Sequence, residues 1–218
     1  MDFTGRHVIV TGAGKGIGRS LVEMLTRRGA RVTALSRTQA DLDELAASSG
    51  CEGIAVDLAD PDATRAAVKR ALPADFLVNN AGTTELDSFL DLPVETFDHI
   101  YAVNTRAPMI VAQEYARDVV RRGARGAIVN ISSLSSFLGL PDHAAYCASK
   151  GALDAMGRVM ANELGRLGIR PSVALGMARS AISEWQGGIA LAHALGDATI
   201  LSESFRRMEH ILLTPPRG

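Results

Sequence analysis

Residues 7–32 read HVIVTGAGKGIGRSLVEMLTRRGARV. An apolar run of strand character passes into a glycine-rich turn, and the turn opens a helix that carries Ile17, Leu21, Met24 and Leu25 on one side. Gly12, Gly16 and Gly18 leave room for a tight turn, for backbone to approach a pyrophosphate and for close packing of helix on sheet. The helix N-terminus then faces the phosphates. A lone glycine triplet is a weak signal, since it also fits an ordinary strand-to-helix turn. Here a strand precedes it, a helix follows, and a second strand, ARVTALS at 30–36, completes the unit. The stretch is read as a dinucleotide loop in which Ile17 also meets the cofactor.

A carboxylate at the end of the second strand would receive the 2′-hydroxyl of an NAD ribose. This chain has Ser36, Arg37 and Thr38 there. Arg37 offers a planar fork to a 2′-phosphate, and Lys15 within the glycine loop offers a second cation. Each alone would read as a solvated surface charge. Two cations with no acid at the ribose edge favour NADP(H).

The run AAYCASKGALDAMG at 144–157 sets Tyr146 and Lys150 four positions apart, on one face of a helix. A phenol titrating near 10 is a poor acid at neutral pH. Bringing it there takes roughly 4 kcal/mol of phenolate stabilisation, which a neighbouring ammonium and a cationic nicotinamide can share. The pair reads as a tuned general acid and base. By itself it is an amphipathic helix with an exposed lysine, and the glycine loop upstream is what changes the reading.

With TGAGKGIG, Asp57, NNAG at 79–82, Asn104, Ser133 and YCASK in that order, the chain resembles the short-chain dehydrogenases/reductases over residues 3 to about 170. Within the family it looks most like the tetrameric carbonyl reductase and L-xylulose reductase group, whose members use NADPH. The resemblance implies that Ser133 orients a substrate carbonyl while Tyr146 delivers the proton, because the interval between the two matches the family's. It also implies that Asn104 holds a water beside Lys150 in a proton relay. An asparagine breaking two helical stretches is the plainer role for Asn104. Cofactor contacts are expected from Gly12, Lys15, Gly16, Ile17, Gly18, Ser36, Arg37, Thr38, Asp57, Leu58, Asn79, Ala81, Gly82, Tyr146 and Lys150. His143 and Trp185 are candidate substrate contacts, although a histidine in the loop LGLPDHAA is more simply an exposed polar residue.

Along the chain, strand and helix patterns alternate. TQADLDELAAS has Thr38 as a capping residue, GIAVDL is a third strand, and Asp60 with Pro61 starts another helix. DFLVNNAG makes a fourth strand, residues 93–123 make two helical stretches meeting near Asn104, and GAIVNISS makes a fifth strand with Ser133 at its end. The pattern predicts one α/β domain over 1–218, a doubly wound parallel sheet with ligands at the carboxyl ends of its strands.

The chain has 218 residues, 47% of them hydrophobic, enough for a substantial core. Its 23 basic and 24 acidic residues leave no nucleic-acid footprint. No apolar run approaches a membrane span, and MDFTGRHVIV enters a strand too quickly for a signal peptide, so a cytoplasmic location is expected. Cys51 and Cys147 have no metal-ligand spacing and read as free thiols, with no metal site expected.

The departure from the family pattern begins near Pro171 in GIRPSVALGMARSAISEW, where proline falls inside the expected sixth strand. Leu175 with Gly176 stands where the family has proline-glycine, and Ser180 where it has threonine. After Trp185 no seventh-strand pattern follows. Residues 171–218 are therefore expected to be atypical: a shortened variant, or a sequence altered by truncation or a change of reading frame. Two function classes follow. One is an NADPH-dependent reductase of ketone, aldehyde or ketose carbonyls, a homo-oligomer with a small-molecule substrate, and a dimer rather than a tetramer if the tail is weak. The other is a catalytically weak dinucleotide-binding or interaction protein.

Overall fold

The computed structural model of the chain describes residues 2–171. Trp185, Leu175, Gly176, Ser180 and the expectations for the tail, including the missing seventh strand, lie outside the described residues.

Six strands form one parallel sheet: β1 (His7–Thr11), β2 (Arg31–Ser36), β3 (Glu52–Ala55), β4 (Phe76–Asn79), β5 (Gly126–Asn130) and β6 (Ile169–Pro171). Their order is β3-β2-β1-β4-β5-β6. The order in which strands are added therefore reverses between β1 and β4, and the carboxyl ends there open into a crevice that is the usual ligand position in such sheets. The helices α1 (Gly16–Arg27), α2 (Gln39–Ser49), α3 (Pro61–Ala71), α4 (Val94–Tyr101), α5 (Ala107–Arg121) and α6 (Ala144–Gly165) connect the strands.

Strand alternation builds two cores from one sheet. Val8 and Val10 of β1 point to one face and join Val22 and Leu25 of α1 and Leu42 and Leu45 of α2. Ile9 points to the other face and joins Val68 of α3, Val111, Tyr115 and Val119 of α5, and Ile169. Burial on both faces explains why the middle of β1, Val8 to Val10, is apolar at every position rather than alternating. Leu42 and Leu45 are fully buried, so truncating either to alanine would cost about 2–5 kcal/mol.

Local chemistry sets the helix starts. Asp60 accepts from the backbone N–H of Asp62 and Ala63 at 2.8 and 3.0 Å, and Pro61 follows at the first helical position. Thr38 occupies the N-cap position of α2 as expected, but its side chain makes no capping hydrogen bond. On α1 the buried residues are Gly18, Val22 and Leu25, whereas Ile17 is 68% exposed. Ile17 sits in the first turn of α1, directly after the glycine loop, and so beyond the edge of the packed face.

The sixth strand forms in spite of its proline. Gly126, Ala127 and Ile128 of β5 pair with Ile169, Arg170 and Pro171. Pro171 is the last described residue of this strand, and it brings no N–H to the ladder.

Candidate active site

The glycine loop is pinned to the turn after β4. Thr11, the last residue of β1, accepts at Oγ1 from the N–H groups of Asn80 and Ala81 at 3.0 and 3.1 Å. Asn80 returns its amide to the carbonyls of Thr11 and Gly12 at 3.0 and 3.1 Å. Gly12 has φ +65°, and a Cβ there would lie 2.6 Å from the Cα of Ala81. A Cβ on Gly18 would collide with the carbonyl oxygen of Gly12. These glycines are thus demanded by close approach of backbone to backbone.

Above this floor lies a cleft of about 300 Å³. Gly12, Lys15, Ser36, Arg37, Thr38 and Asp57 line it, with Leu58, Ala81 and Gly82. Asp57 also holds the turn into α3 by accepting from the N–H of Ala59 at 2.9 Å. Leu58 is 5% exposed, so it borders the cleft while its side chain belongs to the core. Asn79 is not among the lining residues. Its amide is buried and donates to the carbonyl of Pro108 at 3.3 Å and to Oδ1 of Asn130 at 3.0 Å, tying β4 to β5.

The expectation of no acid at the ribose edge is corrected by Asp41. This residue is in the first turn of α2, which folds back over the end of β2 and brings the carboxylate into the cleft corner with Lys15, at 3.5 Å.

At the other end of the site, α6 carries Tyr146 and Lys150. Tyr146 is half-buried and Lys150 is 3% exposed. The ammonium lies 5.8 Å from the centre of the Tyr146 ring and donates to the carbonyl of Ile131 at 2.9 Å. Burial pushes the Lys150 pKa down to about 8, and the nearby Asp154 carboxylate opposes the shift. A Cβ on Gly82 would lie 3.4 Å from this ammonium, so the cleft and the Tyr146–Lys150 pair adjoin.

Ser133 lies three residues past β5, where its Oγ caps the short helical turn Leu134–Ser136 by accepting from the Ser135 N–H at 3.2 Å. The hydroxyl proton is left to donate elsewhere. That turn packs against α6. His143 immediately precedes α6; its Nδ1 is 2.6 Å from the carbonyl of Pro141, and its ring meets that of Tyr146 edge-on with centroids 6.3 Å apart.

Asn104 falls in a wide π-turn, Ala102–Arg106, between α4 and α5. Such turns interrupt helices most often at functional sites. The amide is fully buried and spans the N–H and C=O of Thr83 at 2.8 and 2.9 Å and the Ser149 hydroxyl at 3.0 Å. It locks the loop after β4 to α6, one residue before Lys150.

Sequence reasoning missed Thr11, Asn80, Thr83, Ser149 and Asp41. The first two stand beside the glycines and within NNAG, and that adjacency is the only signal that could have singled them out. Among the described residues, no group of three or more His, Cys, Asp or Glu could hold a metal ion, and no helix is long and apolar enough to cross a membrane.

Comparison with known proteins agrees with this geometry. The chain is 52% identical over 171 residues to L-xylulose reductase of Bos taurus, covering 78% of this chain and 70% of that protein. It is 50% identical to D-erythrulose reductase of Gallus gallus with the same coverage, and 44% identical to carbonyl reductase (NADPH) 2 of Sus scrofa over 84% and 78% of the two chains. Among solved structures, a short-chain type dehydrogenase/reductase from Mycobacterium marinum superposes with a TM-score of 0.74 at 29% identity, covering 78% of this chain and 73% of that one. A protein described as an NAD(P) dependent gluconate 5-dehydrogenase from Beutenbergia cavernae, solved with NADP at low occupancy, gives 0.72 at 33% identity over 77% and 70%. Residues 6–185 match the short chain dehydrogenase family, and the chain belongs to it.

Proposed function

We propose that this protein is an NADP(H)-dependent reductase of ketone, aldehyde or ketose carbonyls, with Tyr146 as its general acid. The observation that carries the reading is the Tyr146–Lys150 pair: a buried ammonium 5.8 Å from the phenol ring, at the edge of a cleft floored by the glycine loop. The cleft fits a dinucleotide, since its floor is backbone that no Cβ could share, and its corner holds the cations Lys15 and Arg37 that suit a 2′-phosphate. When bound, the reduced dinucleotide would supply the hydride.

The protein's own groups handle the oxygen and the proton. The Ser133 hydroxyl donates to the substrate oxygen and stabilises the charge that develops on it. The Tyr146 O–H then transfers its proton to that oxygen, so carbonyl, hydride and proton give the alcohol. With a pKa of about 8, Lys150 is mostly charged at neutral pH and stabilises the phenolate that remains. Asn104 keeps this helix registered against the loop after β4. His143, in edge contact with Tyr146, borders the substrate. The relatives named for L-xylulose and D-erythrulose support a small polar ketose as substrate.

The test is cofactor oxidation by the intact chain with L-xylulose, D-erythrulose and diacetyl, using NADPH and NADH in parallel. NADPH-dependent turnover of at least one carbonyl is expected. Binding of NADPH without turnover of any carbonyl would refute the reading.

A further inference from the structure

The cleft lined by Lys15 and Arg37 is also lined by an acid, Asp41. Asp41 reaches it because α2 starts immediately after Thr38 and its first turn folds over the end of β2. Gly14 makes the approach possible: a Cβ there would stand 2.6 Å from Oγ of Ser36 and 3.1 Å from Cβ of Asp41. The Asp41 carboxylate lies 3.5 Å from the Lys15 ammonium, and its side chain is 20% exposed against 80% for Lys15. The acid is therefore the more buried partner of the pair, and the lysine the more exposed.

We propose that Asp41 limits how strongly this cleft discriminates between NADP(H) and NAD(H). Its carboxylate competes with a 2′-phosphate for Lys15 and repels the phosphate directly. A monoester phosphate carries close to two negative charges at neutral pH, so an acid lining the same cleft as Lys15 and Arg37 opposes it, whereas a ribose 2′-hydroxyl meets no such repulsion. Arg37 and Lys15 attract the phosphate and Asp41 subtracts from that attraction. The inference rests on the reading of this corner as the 2′-phosphate site.

The test is calorimetric titration of the wild type and the Asp41→Asn variant with 2′,5′-ADP and with 5′-AMP at low ionic strength. These probes differ in the phosphate and contain no nicotinamide. Asp41→Asn is expected to bind 2′,5′-ADP about three- to tenfold more tightly, with 5′-AMP changed by less than about twofold and the difference shrinking as salt is raised. Unchanged or weaker binding of 2′,5′-ADP would overturn the proposal, as would equal tightening of both probes. Asp41→Gln, with unfolding of both ligand-free variants monitored, guards against a folding defect. A wild type with no preference for 2′,5′-ADP would instead remove the NADP(H) reading, and the change between wild type and variant would still report on Asp41.

Discussion

Replacing Lys150 with methionine should flatten the dependence of stability on pH. Burial lowers the Lys150 pKa from 10.5 to about 8 in the folded protein. Below that value the ammonium is charged in both states, and the folded protein bears the full cost of burying it. Between the two values the unfolded chain binds a proton that the folded protein does not, so stability rises with pH across this window. From about pH 7 to about pH 9.5 the linkage amounts to about 2 kcal/mol of added stability from this one group. Methionine is similar in length and keeps most of the packing, but it cannot titrate. Loss of the bond to the Ile131 carbonyl changes the stability of the variant by a fixed amount and leaves the slope untouched. Urea unfolding of the ligand-free wild type and Lys150→Met at both pH values isolates the effect, because Tyr115, pushed up to about 12 by burial, and every other group are common to both. Parallel profiles would refute the reasoning and mean that the ammonium is solvated in the folded protein.

Thr11→Val removes the acceptor for the N–H groups of Asn80 and Ala81, and should cost about 1–3 kcal/mol in thermal unfolding, with Thr11→Ser restoring most of it. Gly12→Ala forces a Cβ to 2.6 Å from Ala81 at a positive φ; dinucleotide binding followed by fluorescence should be lost, and stability should fall by more than about 1 kcal/mol. Asp60→Ala deletes the cap of α3, so it should cost about 1 kcal/mol of stability in thermal unfolding, with Asp60→Asn restoring most of it.

The parts legible in the sequence were those coded locally. The strand, glycine turn and helix of residues 7–32, the Asp60–Pro61 helix start and the i,i+4 relation of Tyr146 and Lys150 depend on neighbours along the chain, and they fold as their patterns indicate. Contacts between distant segments were not legible. Thr11 and Asn80 lie 69 positions apart, and nothing in either stretch announces the partner. Asp41 reads as an ordinary acid in a helical first turn until the fold brings α2 over the glycine loop. Ile17 follows the helical spacing of Leu21 and Leu25, yet it lies in the first turn ahead of Gly18, the first buried residue of the helix, and is exposed there. Asn104 was open to two readings, as a breaker of helices or as part of a relay. The π-turn gives it an interruption that holds together, with the amide used to clasp Thr83 and Ser149.

The most direct test of the account is the pair of measurements on Tyr146→Phe: NADPH affinity by calorimetry and NADPH-dependent reduction of a ketose such as L-xylulose. Removing the phenolic O–H takes away the proton donor and leaves the ring, the Lys150 ammonium and the cleft in place. The expected result is a fall in kcat of at least about 10²-fold with the dissociation constant for NADPH nearly unchanged. A phenylalanine variant that keeps most of its kcat would contradict it and show that another group protonates the substrate oxygen.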